Sequence, residues 1–143
     1  MSDPYDLQRF IRAQDGVYET ALAELRAGSK QSHWMWFVFP QLRGLGLSPT
    51  AQYYGISSLE EALDYLGHPL LGARLRQSVE ALLPWAARRT PEQIFGGIDA
   101  VKLRSCLTLF DAAEPDAVFA KALVAFFDGE CDQDTLALLN GEK

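Results

Sequence analysis

Apolar residues recur along this chain at helical spacing, and Gly, Pro and capping residues cut the pattern into short segments. In SDPYDLQRFIRAQ, Asp3 is placed to cap with Pro4 at the first helical position, and Leu7, Phe10 and Ile11 share one face. Asp15-Gly16 interrupts, and Val17, Ala21, Leu22 and Leu25 then continue an apolar stripe to Gly28. The spacing allows one kinked helix or two. Ser48-Pro49 restarts a short helix, and Ser58-Leu59-Glu60-Glu61 forms a capping box opening LEEALDYL, which Gly67 ends. His68-Pro69 begins PLLGARLRQSVEALL, with Leu70, Leu71, Leu75, Val79, Leu82 and Leu83 on one side. Thr90-Pro91-Glu92-Gln93 is a further cap, for a segment closing at Gly96-Gly97. Asp99 is placed to cap AVKLRSCLTLF, Pro115 opens DAVFAKALVAFF, and Asp132 or Asp134 opens TLALL, which Asn140-Gly141 terminates.

One stretch resists this reading. KQSHWMWFVFPQLRG, Lys30 to Gly44, is apolar on both faces of a strand and all round a helix, so periodicity does not decide it. A single buried strand would leave backbone groups unpaired in an otherwise helical chain. A short helix from about Ser32 to Val38 is therefore expected, with Pro40 pushing Phe39 out of the helical region. The fold class is all-α: one compact domain over residues 1–143, a multihelical array of about eight short helices.

Length and composition agree. At 143 residues, with 48% hydrophobic and 22% charged residues, the chain can close one core. No apolar run approaches the roughly 20 residues that span a bilayer. MSDPYDLQRF lacks a basic region followed by an apolar one, so a secretory signal is not expected and the location expected is cytoplasmic. Net charge is −6 and the positive residues are scattered apart from Arg88-Arg89, so neither nucleic acid nor membrane is an expected partner. A small anionic or planar ligand remains compatible with that charge, and oligomeric state is not legible. Cys106 lies in a buried-looking helix and Cys131 among carboxylates, so neither reads as a disulfide partner or a nucleophile.

Candidate chemistry is sparse. His33 and His68 are the only histidines, with no carboxylate at ligand spacing from His33, so no metal and no cofactor are implied. The glycines of RGLGLS lack the strand and Lys of a phosphate loop, and no nucleophile elbow occurs. The carboxylates of SSLEEALDY and DGECDQD read as solvated faces or caps. In DAVKLRSCLTLF, Asp99, Lys102, Ser105 and Thr108 follow at three-residue spacing opposite Leu103, Cys106, Leu107 and Phe110. Such a strip is either the exposed face of an amphipathic helix or one wall of a cavity. The aromatic run offers the same choice. Its Trp34, Trp36, Phe37 and Phe39 can simply fill the core, or line a pocket to which His33, Gln41 and Arg43 add donors and a cation.

SHWMWFVFPQLRGLG, then YYGI, SLEEALDYL, HPLLGARL, IFGGIDAVKLRSCLTLF and FFDGECDQDTLALL, resemble the bacterial family known as domain of unknown function 1810, over nearly the whole chain. The resemblance implies a mainly helical single domain. Some members carry the label calpastatin-like, which no residue here supports. The family pattern stresses positions matching Lys30, Ser32, His33, Trp34, Trp36, Pro40 and Gln41, and again Asp99, Lys102, Ser105 and Thr108. Cys106-Leu107 stands where members commonly have Ser-Met, a change on the apolar side. The resemblance implies one pocket built from two distant segments, and supplies no reaction.

The expectation is a small-ligand site for a nucleotide or ADP-ribose-like molecule. Trp34, Trp36, Gln41, Arg43, Ser105 and Thr108 would bind, and His33, Asp99 and Lys102 would carry any catalysis. A loose analogy of motif order to helical ADP-ribose-processing enzymes points the same way. The alternatives are a protein-interaction module using an exposed Trp-rich patch, or a purely structural domain.

Overall fold

The punctuation signals resolve the chain into ten α-helices among the described residues, 3–115 and 117–141 of this computed structural model. They are α1 (Gln8–Gln14), α2 (Tyr18–Arg26), α3 (Met35–Val38), α4 (Pro49–Tyr54), α5 (Leu59–Gly67), α6 (Leu71–Leu82), α7 (Pro91–Phe95), α8 (Gly97–Ala113), α9 (Ala117–Phe127) and α10 (Gln133–Leu139). A 3₁₀ turn, Leu83–Trp85, extends α6. The all-α expectation holds, with two more helices than expected. The N-terminal stripe is two helices, α1 and α2, divided at Asp15-Gly16. The aromatic run folds as the short α3, starting at Met35 rather than Ser32, and Phe39 leaves the helical region before Pro40 as expected.

Most caps act as the residue types dictate. Ser48 accepts from the Ala51 amide, Ser58 from Glu61 and Asp132 from Thr135, while Thr90 and Gln93 form a complete reciprocal box. Asp3 accepts from the amides of Leu7 and Gln8, one turn later than its spacing with Pro4 suggests. One expectation needs correction. Asp99 does not cap α8: the helix starts at Gly97, and Asp99 lies in its first turn, its carboxylate turned to lysines. At His68 the imidazole Nδ1 accepts from the amides of Leu70 and Leu71 at the start of α6. Asp116, within the segment opened by Pro115, lies outside the described residues.

Helix α8 organises the packing, with α5, α7, α9 and α10 against it and α6 bridging α5 and α9. Its buried residues include Leu103, Cys106, Leu107, Leu109 and Phe110, and also Ser105 and Thr108. It is therefore enclosed on most sides rather than half-exposed, as a helix apolar around most of its circumference must be. Ser105 and Thr108 satisfy their hydroxyls by donating to the Val101 and Arg104 carbonyls one turn back.

Opposite charges meet inside this core. Arg9, 4% exposed, pairs with Glu61, 1% exposed, at 2.7 Å. The guanidinium also donates to the carbonyls of Tyr5, Asp6, Tyr53 and Gly55, while Glu61 accepts from the Ser57 amide and hydroxyl. This pins α1 to the α4–α5 connection. Glu61 is thus neither a solvated face nor the second half of a capping box. From the same connection Ile56 makes an isolated parallel bridge with Leu42, its amide donating to the Gln41 carbonyl at 2.8 Å. Among the described residues, no helix is long and apolar enough to cross a membrane.

Candidate functional site

The aromatic run is both core and wall, and two residues of offset decide which. Side chains two apart on a helix diverge by about 200°. Trp34, at the start of α3, turns inward, 1% exposed, into a cluster with Phe39 and Phe95 at centroid distances of 6.1 and 6.4 Å. Trp36 is only partly buried and turns towards α8.

Glu24 on α2 holds the approach to α3. Its carboxylate accepts from the Gln31 amide at 2.8 Å, the Ser32 amide at 3.1 Å, the Ser32 hydroxyl at 2.6 Å and Trp34 Nε1 at 2.8 Å. The buried indole thus has its acceptor, from a residue that sequence reading passed over. Burial would raise the Glu24 carboxyl, but the bonds from Ser32, Gln31 and Trp34 outweigh it and hold it at about 2. Because the folded value lies below the ordinary one, the stabilisation is complete above about pH 5 and is lost as pH falls towards 2. Glu24→Gln is expected to lower stability by about 1–3 kcal/mol at pH 6. Urea unfolding should show the gap between variant and parent narrowing at pH 3.

Across from Trp36, the first turns of α8 carry an ion chain. Lys30 Nζ lies 2.9 Å from Asp99 Oδ2, and Lys102 Nζ lies 3.2 Å from Asp99 Oδ1. The Lys30 amide donates to the Ile94 carbonyl, fixing this loop beside α7. Lys102 Nζ rests 4.0 Å from the centre of the Trp36 ring, and Lys30 Nζ 5.1 Å from that of Trp34. Burial pushes the Asp99 carboxyl up, but hydrogen bonds and charge from Lys30 and Lys102 prevail and keep it below its usual value. Asp99 is a fixed anion shared by two cations.

Between these parts lies a hollow of about 350 Å³. Trp36, Gln41, Leu45 and Gly46 line it on one side, Ile98, Val101, Lys102 and Ser105 from α8 on another, and Asp132 and Asp134 at the start of α10. The two segments, distant in sequence, meet there. Of the expected binding residues, Trp36, Gln41 and Ser105 line this space, as does Lys102, with Asp99 bonded behind it. The others lie elsewhere. Trp34 is in the core, and His33 is exposed on the loop before α3. Arg43 reaches away to the Gln52 and Gly55 carbonyls at the end of α4. Thr108 accepts from the Asp132 amide at 2.9 Å and so ties α10 to α8. The acidic residues of the α10 wall carried no sequence signal beyond capping. Among the described residues, no group of three or more His, Cys, Asp or Glu side chains is arranged to hold a metal.

Comparison with known proteins follows this geometry. No curated protein matches the chain. The crystal structure of the conserved hypothetical protein Rv1873 from Mycobacterium tuberculosis is similar at 51% identity and a TM-score of 0.93, over 96% of this chain and 99% of that one. A family model described as "Protein of unknown function (DUF1810)" matches residues 4–139. The chain therefore belongs to the DUF1810 family.

Proposed function

We propose that this small helical protein binds a planar ligand bearing an anionic group, of nucleotide or ADP-ribose-like chemistry, in the hollow between Trp36 and α8. The observation that carries the reading is the Lys30–Asp99–Lys102 chain. Two ammonium groups share one carboxylate, which leaves an uncompensated positive charge at the face of an accessible tryptophan. An anionic group would pair with that charge, and an aromatic ring would contact Trp36 beside the Lys102 ammonium. The Gln41 amide and the Ser105 hydroxyl supply directional polar contacts in an otherwise apolar lining. The same arrangement favours binding over proton transfer, since Asp99 is held ionised between cations and His33 stands outside the hollow.

Titration calorimetry and thermal melting against mononucleotides, dinucleotides and ADP-ribose test this. At least one compound is expected to raise the melting temperature, and Lys102→Met and Trp36→Ala each to weaken it about tenfold or more. A panel without binders, or binding untouched by both substitutions, removes the reading.

A second reading rests on the rim. Ile98 and Val101, 77% and 58% exposed, stand beside the hollow as apolar side chains in water. They suit a hollow that receives a side chain of a partner protein. Lys102→Met separates the two, because it removes the charge that an anionic ligand needs while keeping the apolar rim that a partner side chain would contact.

A further inference from the structure

We infer that the hollow selects an aminated heteroaromatic ring on a ligand of mononucleotide size, with Asp134 as the residue that reads the amino group. This rests on the reading of the hollow as a ligand site and specifies its occupant. Size comes first. A space of about 350 Å³ holds roughly 20 non-hydrogen atoms at the packing density of protein interiors. A base, a sugar and one phosphate fill it, and the second half of a dinucleotide or of ADP-ribose would lie in solvent.

Polarity comes second, because the walls differ in charge. The α8 wall presents Lys102 with the excess positive charge of its ion chain. The wall at the start of α10 presents two carboxylates, but they are not equivalent. Asp132 is committed to the cap, its Oδ2 accepting from the Thr135 amide at 3.0 Å and hydroxyl at 2.6 Å. Asp134, exposed at the mouth, has neither a hydrogen-bond nor an ion-pair partner among the described residues. A carboxylate accepts and does not donate. A ring edge carrying an amino group pairs with Asp134, whereas an edge that offers no donor there does not. The place for a ligand cation on the aromatic face is already taken by the Lys102 ammonium. The anionic end of the ligand is thereby directed to Lys102 and the amino edge to Asp134, with the ring against Trp36.

Calorimetry with adenosine monophosphate, purine riboside monophosphate and ADP-ribose, on parent protein, Asp134→Ala and Lys102→Met, tests the assignment. The two monophosphates differ only in the amino group, which purine riboside lacks. Parent protein should bind the adenosine compound about tenfold tighter, a modest ratio because Asp134 is exposed. Asp134→Ala should erase the difference, Lys102→Met should weaken both equally, and ADP-ribose should bind no tighter than adenosine monophosphate. Equal binding of the monophosphates by the parent, with Lys102→Met still weakening both, overturns the inference and leaves the ligand site standing. Discrimination that survives Asp134→Ala overturns the role of Asp134, and markedly tighter ADP-ribose overturns the size limit. Absence of binding by every compound removes inference and site together. Asp134 is exposed, so melting of the free variant verifies the fold independently.

Discussion

Arg9→Met is expected to destabilise the protein by about 3–5 kcal/mol, the cost of leaving a buried carboxylate without its counter-charge. Glu61 would keep the Ser57 contacts but lose the guanidinium at 2.7 Å, with almost no access to water. The carbonyls of Tyr5, Asp6, Tyr53 and Gly55 would lose a common donor as well. For a chain of this length the melting temperature should fall by about 10 °C. The double variant Arg9→Met with Glu61→Leu should lose less than the sum of the single changes, because no unpaired charge remains. Urea denaturation of the four proteins measures the coupling directly, and strict additivity would mean that the pair does not act as a unit. The effect bears on the hollow too. Gly55, which Arg9 holds, precedes Ile56, whose amide holds the Gln41 backbone, so loosening the pair loosens one wall.

The second large effect belongs to Gly72. A Cβ there would stand 2.1 Å from the Leu66 carbonyl oxygen and 2.8 Å from its carbon, both backbone atoms. Neither can swing aside as a side-chain tip would, so α5 and α6 would have to part there. Gly72→Ala gains up to about 1 kcal/mol in helix propensity. Overpacking against fixed backbone opposes it by about 3 kcal/mol, at the upper end of what such changes cost. A net loss near 2 kcal/mol is the expected outcome in urea. Gly67→Ala is the control, since nothing lies within 4 Å of its Cβ, and it should be neutral or stabilising. Equal behaviour of the two alanines would show that the close approach does not matter.

What the sequence reveals and what it hides divides along the range of the interaction. Ser48-Pro49, Ser58, Thr90 with Gln93, and Asp132 act within one turn, and their structural roles match their residue types. Arg9 and Glu61 stand 52 positions apart, and no local pattern distinguishes them from surface charges. Glu24 is equally hidden, its partners being backbone amides and an indole brought to it by the turn after α2. On α8 the three-residue spacing marks a continuous face correctly, but not what covers it. Neighbouring helices enclose Ser105 and Thr108 and leave Val101 to solvent, which is a tertiary outcome. The family resemblance groups the stressed positions without separating those that face the hollow, such as Trp36 and Lys102, from those that hold the frame, such as Trp34 and Thr108.

The tie between Thr108 and the Asp132 amide has a kinetic consequence. Helix α10 fully buries only Thr135, with Leu138 and Leu139 packed partly against the core, so little apolar area resists its detachment. Hydrogen exchange should therefore find its amides opening well before those of α8, in a movement that leaves the remaining helices folded. Each such excursion would open the hollow into a broad cleft, so the wall that carries Asp132 and Asp134 is kept in place by one hydroxyl and a seven-residue helix.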